Sequence, residues 1–451
     1  MPDKIEIDYL ELYTDLMNLL EVAGPTQACV KISEHDPRID GLFPIEEAIE
    51  KIVEKFNKEN NLHIQIIRHN GNLIVIGGFE EKYDKIRDAS TLSQEEIKNI
   101  RNIPVIFGAH LDEICYIIRN AKGFLDGENY KVVPLCAPPK IPNSPPIFNE
   151  DNTAFAQKIY HPDCRIVGFR NGKFYTDIAT GHLYRVEKIE KEEEEKSLAL
   201  DGKEHSITKK NIKVADYLIL KILTVKDKEK IMPGDIVIQD YGDWKEKKRC
   251  SSSHEIITSK AIDDRLGCIA VLYVIRELAK KKIKAKAILT SSEEGVPVDN
   301  SWGRLIRPSY DLFCENKVIT LICDGTDGLR LVEFNEYTTE LSHAIIVPYT
   351  SNGKGGGDIG IFSRFRDNII PTLNKIYDED VAKISTDYSS RSYDVKILDD
   401  WTLMGFVQWS CGKPLKRTAI CHNNETVCLY QAINIIRTFY YAFEFFSEKS
   451  N

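Results

Sequence analysis

Apolar residues recur first at helical and then at strand spacing along the chain. Residues 5 to 22 and 44 to 58 carry them every three or four positions, which predicts two amphipathic helices. Two apolar runs follow at residues 62 to 67 and 72 to 77, and the HNGN sequence between them is typical of a hairpin turn. This pattern predicts two helices followed by a pair of strands.

Helices and strands alternate again in the second half of the chain. Residues 263 to 282 predict a long and largely buried helix, and residues 285 to 290 and 318 to 323 are short apolar runs typical of central strands in a covered sheet. Asn423 or Asn424 is expected to cap a last helix that carries an apolar face to about Phe446. The alternation predicts an α/β fold.

The middle of the chain has a different pattern. Between residues 120 and 245, short strand-like runs alternate with turns, prolines cluster at 134 to 146, and charged residues fill 187 to 196. This predicts a small β-rich module inserted into an α/β domain. The expected domains are 1–119 and 246–451 for the α/β part, with 120–245 as the insertion. We also expect a strand at 105 to 107 to pair with one at 116 to 118.

Composition narrows the classes of partner and compartment. The net charge is -9 and no basic patch is concentrated, which argues against nucleic acid and anionic membranes as partners. Eleven scattered cysteines without a C-x-x-C pair favour buried reduced thiols over a disulfide framework. There is no apolar run long enough to span a membrane, so we expect a soluble, cytoplasmic protein.

Five ligand-type side chains stand where predicted strands end or predicted helices begin: His110, Asp263, Glu294, Asp324 and His422. Strand ends and helix starts of this kind lie along one edge of an open α/β sheet, where ligands bind. Two histidines and three carboxylates, one of which can bridge, suit a pair of divalent ions of the zinc, cobalt or manganese kind. The pattern predicts a two-metal hydrolase.

Two further residues have candidate roles beside these ligands. Glu293 adjoins Glu294, and neighbouring residues at this point of the chain point in different directions, so one of the pair can bind metal while the other takes a proton from metal-bound water. Asp112, two residues after His110, can hydrogen-bond the liganding imidazole. Taken singly, Asp263 could instead be a helix N-cap, each histidine a buried core residue, and the glutamate pair a solvated turn.

The ordered motifs AHLDEI, KAIDDRLG, SSEEG, ICDGT and RTAICHNNE resemble those of the dinuclear aminopeptidases of metallopeptidase family forty-two, also called tetrahedral or glutamyl aminopeptidases. The resemblance spans nearly the whole chain. It implies a mixed-sheet α/β/α catalytic domain with an inserted small β-rich domain, barrel-like or PDZ-like, that serves assembly. It also implies peptide substrates and a homo-oligomer between a dimer and a dodecamer.

The resemblance also implies roles for individual residues. One ion would be bound by His110, Asp263 and Asp324, and a second by Asp263, Glu294 and His422. By the same resemblance, zinc is favoured over cobalt or manganese.

By the same resemblance, Glu293 would act as the general base and Asp112 would be the hydrogen-bond partner of His110. Related zinc carboxypeptidases and deacylases would share the pattern, and a catalytically silent scaffold is a further alternative. A glycosidase is disfavoured because its two carboxylates must flank the glycosidic bond.

Overall fold

The computed structural model describes residues 4–24, 44–80, 86–113, 115–119, 129–134, 153–170, 173–191, 196–198, 204–206, 211–225, 231–239, 247–249, 255–291, 301–315, 318–326, 342–346, 358–384, 402–410 and 425–448. The chain divides into two compact units. One contains residues 1–114 and 243–451, and the other contains residues 115–242.

The helices are α1 (Tyr9–Glu21), α2 (Pro44–Asn60), α3 (Gln94–Arg101), α4 (Ile262–Lys280), α5 (Ser301–Phe313), α6 (Ile359–Arg364), α7 (Ile370–Tyr377) and α8 (Leu429–Glu448). A π-helical turn, Phe365–Ile369, joins α6 to α7, and a short 3-10 helix spans Ala89–Thr91.

The strands are β1 (Gln65–His69), β2 (Asn72–Gly77), β3 (Arg87–Asp88), β4 (Val105–His110), β5 (Cys115–Ile118), β6 (Asn129–Pro134), β7 (Thr153–Arg170), β8 (Lys173–Lys191), β9 (Lys196–Leu198), β10 (Glu204–Ser206), β11 (Asn211–Val225), β12 (Ile236–Gln239), β13 (Lys247–Arg249), β14 (Glu255–Ser259), β15 (Ala285–Thr290), β16 (Val318–Ile322), β17 (Gly325–Thr326), β18 (Ala344–Ile346), β19 (Ala382–Ile384), β20 (Thr402–Ser410) and β21 (Glu425–Cys428).

The larger unit is built on a mixed sheet in the order β19-β18-β20-β16-β4-β15-β2-β1-β3, with β17 paired to β20. Its centre is parallel, because β4 pairs in parallel with both β15 and β16, and β16 pairs in parallel with β20. β1 and β2 form the expected hairpin, whose two-residue turn, Asn70 and Gly71, has positive φ angles of 49° and 78°.

Helices cover both faces of this sheet. On β4, the ring of Phe107 contacts Phe439 and Phe443 of α8, with centroids 5.3 and 5.9 Å away. Its neighbour Ile106 belongs to a different buried cluster that includes Ile97, Ile306 and other residues of α3 and α5. Successive strand residues point to opposite faces, so the sheet lies between two helical layers. The predicted α/β/α class is confirmed.

α4 is buried along nearly its whole length, from Ile262 to Ala279. A helix that is apolar all round belongs in the core. It contacts α8, α1, β4 and β15. Its polar side chains are paired: the Tyr273 hydroxyl donates to Asp15 of α1 at 2.8 Å, and Arg276 lies over the Tyr273 ring.

The smaller unit contains a closed barrel of strands in the order β11-β6-β5-β12-β7-β8. The turn before β12 is held by Asp235, which accepts from the Met232 amide at 2.8 Å and pairs with both terminal nitrogens of Arg170 at 2.7 Å. A Cβ on Gly168 would lie 2.3 Å from the Asp235 carboxylate, so this position needs glycine. The expected β-rich insertion is therefore a barrel.

Two local predictions are wrong. Residues 116 to 118 lie in β5, which pairs with β6 and β12 in the barrel and not with β4. The last helix begins at Leu429, because residues 425–428 form β21 and pair with β14. The expected caps Asn423 and Asn424 lie outside the described residues. Among the described helices, none combines the length and apolarity that a membrane span requires.

Candidate metal centre

Two parallel strands, β4 and β16, bring candidate ligands to one edge of the sheet, and β15 ends at the same edge. His110 is the last residue of β4 and stands in register with Thr290, the last residue of β15. Asp324 follows β16 by two residues, and β16 flanks β4 on its other side. Because these strands are parallel, their carboxyl ends lie together. Asp263, in the first turn of α4, lies close to both.

His110, Asp263 and Asp324 converge. One ligand atom from each lies within 4.8 Å of those of the other two, and His110 Nε2 is 3.5 Å from Asp263 Oδ1. The Gly325 amide donates to Asp324 Oδ1 at 2.7 Å and to Asp263 Oδ1 at 3.3 Å. Two ligands held about 2.1 Å from a tetrahedral zinc are about 3.4 Å apart. The donor set and its spacing therefore fit a divalent metal ion.

Asp112 lies on the other side of the imidazole. Its carboxylate, 1% exposed, places Oδ1 3.5 Å from His110 Nδ1. The ring therefore faces one carboxylate with each nitrogen. A carboxylate behind a liganding histidine fixes the ring orientation and favours the tautomer that leaves the other nitrogen available to metal.

Asp263 and Asp264 are adjacent but have different surroundings. Asp264 is fully buried and accepts from the Gly267 amide at 3.1 Å, which caps the first turn of α4. The Asp263 side chain is 21% exposed and faces His110. Asp264 therefore accepts the hydrogen bond of the Gly267 amide, whereas Asp263 belongs to the ligand cluster. The peptide bond between them is cis.

Two buried thiols pack beside the cluster. Cys268 Sγ donates to the His110 carbonyl at 3.1 Å. Burial raises the pKa of both Cys268 and Cys323 well above the ordinary value. Both thiols therefore stay protonated and do not add negative charge to the centre.

The structure brings together four of the predicted site residues: His110, Asp112, Asp263 and Asp324. Glu293, Glu294 and His422 lie outside the described residues. The last described residue ahead of the two glutamates is held in place, because the buried Ser291 hydroxyl donates to the Gly71 carbonyl in the β1–β2 turn at 2.5 Å.

Sequence reasoning missed three buried charged residues near the centre: Glu113, Lys260 and Arg265. Each lies within one of the quoted motifs. Charged residues are almost never fully buried unless they are paired, so the sequence around them gives no signal of their burial.

Comparison with known proteins gives one family match. The family model for M42 glutamyl aminopeptidases matches residues 188–298, a segment that contains Asp263, Glu293 and Glu294. No curated protein matches the sequence at a significant level. The resemblance that the motifs predicted is confirmed by this match.

Solved structures share the fold. An aminopeptidase from the archaeon Desulfurococcus kamchatkensis is 15% identical, with a TM-score of 0.54 and 98% of each chain covered. A TET aminopeptidase from a Thaumarchaeota archaeon is 12% identical, with a TM-score of 0.55 and 96% of this chain and 99% of that chain covered. The Pyrococcus horikoshii TET1 peptidase, which can assemble into a tetrahedron or a large octahedral shell, is 12% identical, with a TM-score of 0.54 and 95% and 98% covered.

The class follows from these observations together. A mixed-sheet α/β/α unit has a histidine and two aspartates at the carboxyl edge of its central strands, and a barrel is inserted after the histidine motif. The family match and the shared fold support a metallo-aminopeptidase, a hydrolase that acts on peptide bonds.

Proposed function

We propose that the protein is a dinuclear metal-dependent aminopeptidase that removes N-terminal residues from peptides. The observation that carries the proposal is the convergence of His110, Asp263 and Asp324, with His110 Nε2 and Asp263 Oδ1 separated by 3.5 Å. Support also comes from the family match over residues 188–298.

The proposed first ion would be held by His110, Asp263 and Asp324. The proposed second ion would be held by Asp263, Glu294 and His422, with Asp263 shared between the two. A bridging carboxylate needs both oxygens available, and the partial exposure of the Asp263 side chain is compatible with that role. Zinc is the favoured metal, with cobalt or manganese as alternatives.

Divalent ions in this site would supply Lewis acidity toward the scissile carbonyl and toward the attacking water. Glu293 accepts the proton of that water and returns it to the departing amine. Asp112 holds His110 in the orientation that presents Nε2 to the centre. The free N-terminal amine of the peptide would bind in this site and set the position of the bond that is cut.

We further propose that the chain forms a homo-oligomer, between a dimer and a dodecamer, with the barrel unit serving assembly. The shells formed by the Pyrococcus horikoshii TET1 peptidase support this idea. The net charge of -9 argues against nucleic acid and anionic membrane as partners.

The substrate class is tested with metal-loaded protein and matched peptides. One set has free N-termini, a second has acetylated N-termini, and a third has amidated C-termini. We expect cleavage of the first and third sets and no cleavage of the second. Cleavage that needs a free C-terminus would indicate a carboxypeptidase, and release of the acetyl group would indicate a deacylase.

A further inference from the structure

Three buried charged side chains connect the two segments that carry the metal ligands. Glu113 follows Asp112, whereas Lys260 and Arg265 flank Asp263, and the three are between 0% and 5% exposed. Glu113 Oε2 accepts from Lys260 Nζ at 3.3 Å, and Oε1 accepts from Arg265 Nη2 at 3.1 Å. One carboxylate therefore joins the end of β4 to the start of α4.

The same cluster holds the chain just after α1. Arg265 Nη1 donates to the carbonyls of Leu19 and Val22 at 2.9 and 2.8 Å, which satisfies acceptors left open at the end of that helix. Glu113 Oε1 also accepts from the Gly24 amide at 2.8 Å, and the Glu113 amide donates to the Gly24 carbonyl at 2.8 Å. The three segments thus meet at one carboxylate.

Stability alone does not explain this arrangement. Well-packed apolar residues often replace a buried ionic cluster without loss of stability, because taking charges out of water is costly. Apolar residues, however, cannot replace the directional hydrogen bonds of Glu113, each of which fixes one chain segment relative to another. The segments fixed are those that carry His110 and Asp263, whose ligand atoms must stand 3.5 Å apart.

Gly24 shows how tightly the cluster is enclosed. A Cβ built there would lie 2.7 Å from Arg265 Nη2 and 3.2 Å from the Leu111 carbonyl oxygen. Any other residue would push on the guanidinium group. Position 24 therefore offers a way to disturb the cluster without changing any charge or any candidate ligand.

We propose that Glu113, with Lys260 and Arg265, is a positioning cluster that sets the distance between the His110 and Asp263 ligands, and that residues 19–24 take part in this positioning. This inference rests on the proposed function, because it assumes that these ligands bind metal. The cluster acts through the backbone that carries the ligands.

The test uses the full chain, stripped with a chelator and titrated with Zn²⁺ against a chelating indicator. The variants are Lys260→Met, which leaves Glu113 paired with Arg265, and Gly24→Ala, with Lys280→Met as the control at the exposed end of α4. We expect zinc affinity to fall about 10- to 100-fold in the first two variants and to stay unchanged in the control. The absorption spectrum of bound Co²⁺ should change with the affinity.

The melting temperature of the stripped protein separates positioning from simple stabilisation. Lowered melting with unchanged zinc affinity and an unchanged Co²⁺ spectrum in both variants would overturn the inference and leave the proposed function standing. Absence of zinc binding by the natural chain would overturn both. If Lys260→Met does not fold, Gly24→Ala decides the question by the same two readouts.

Discussion

At Gly267, near the start of α4, helix propensity and side-chain packing have opposite effects on the stability of an alanine variant. Alanine is favoured over glycine in a helix interior by about 1 kcal/mol. A Cβ at Gly267, however, would lie 2.3 Å from Asp264 Oδ2 and 2.5 Å from Oδ1. That carboxylate is fully buried and already accepts from the Gly267 amide at 3.1 Å. It cannot keep this position in a Gly267→Ala variant.

The two effects differ in size. Forcing atoms into a packed site costs about 1–3 kcal/mol, and loss of a hydrogen bond to a charged acceptor costs about 1.5–3 kcal/mol. After the helical gain of about 1 kcal/mol is subtracted, Gly267→Ala should lower the free energy of unfolding by about 1.5–5 kcal/mol. Asp264 directly follows the candidate ligand Asp263 in the chain, so a shift of Asp264 should also lower the affinity for zinc.

Urea unfolding followed by circular dichroism measures the change, and a double-mutant cycle with Asp264→Ala isolates its cause. Once the Asp264 carboxylate is removed, Gly267→Ala should no longer destabilise the protein and should stabilise it by up to about 1 kcal/mol. An equal loss of stability in both backgrounds, or no loss in either, would refute the explanation.

The remaining predictions concern buried titratable groups and the metal. In the folded protein, burial lowers the pKa of His69 below its ordinary 6.5. As the pH drops below about 6.5, the unfolded chain therefore takes up a proton more readily than the folded protein, and the free energy of unfolding falls. His69→Gln should flatten that part of the pH profile, and an unchanged slope would contradict this. Burial also lowers the pKa of Lys286 below 10.5, so stability rises as pH approaches 10.5. Lys286→Met should remove this rise and cost about 2–4 kcal/mol at neutral pH, because the carbonyls of Ile100 and Phe313 lose their donor. A flat natural profile, or equal urea midpoints, would argue against it. Free Zn²⁺ at about 100 times its Kd should raise the free energy of unfolding by about 2.7 kcal/mol over stripped protein. Superimposed unfolding curves would count against a metal centre.

The sheet and part of the site were predictable for a common reason. Short apolar runs stop where β4, β15 and β16 stop, and parallel strands place those ends on one edge. That rule anticipated the approach of His110 to Asp324. It did not show which of two adjacent aspartates would cap α4, because N-cap and ligand both stand at a helix start.

Local pattern predicted the pairing of β1 with β2 but not the partners of β5. The apolar run at 116 to 118 suits a strand of the α/β sheet and a strand of the barrel equally well. Only the tertiary structure places it in β5 of the barrel. The β-branched residues Thr426 and Val427 pair with β14, so α8 starts later than its apolar face suggests.

Buried charges were the other omission. Lys286 is 0% exposed because its ammonium group donates to carbonyls at the ends of α3 and α5, among them that of Phe313 at 2.8 Å. Arg265 likewise donates to the carbonyls of Leu19 and Val22 at the end of α1. Sequence pattern assigns such residues to the surface, since it cannot show which helix end lies nearby.

Anomalous X-ray scattering at the zinc edge, from crystals of zinc-loaded protein, would locate the bound ions. We expect two peaks about 3.5–4 Å apart. One should lie about 2.0–2.2 Å from His110 Nε2 and from oxygens of Asp263 and Asp324, and the other within the same distance of Glu294 and His422. A single peak would contradict the dinuclear assignment, and peaks away from Asp263 would contradict the proposed centre as a whole.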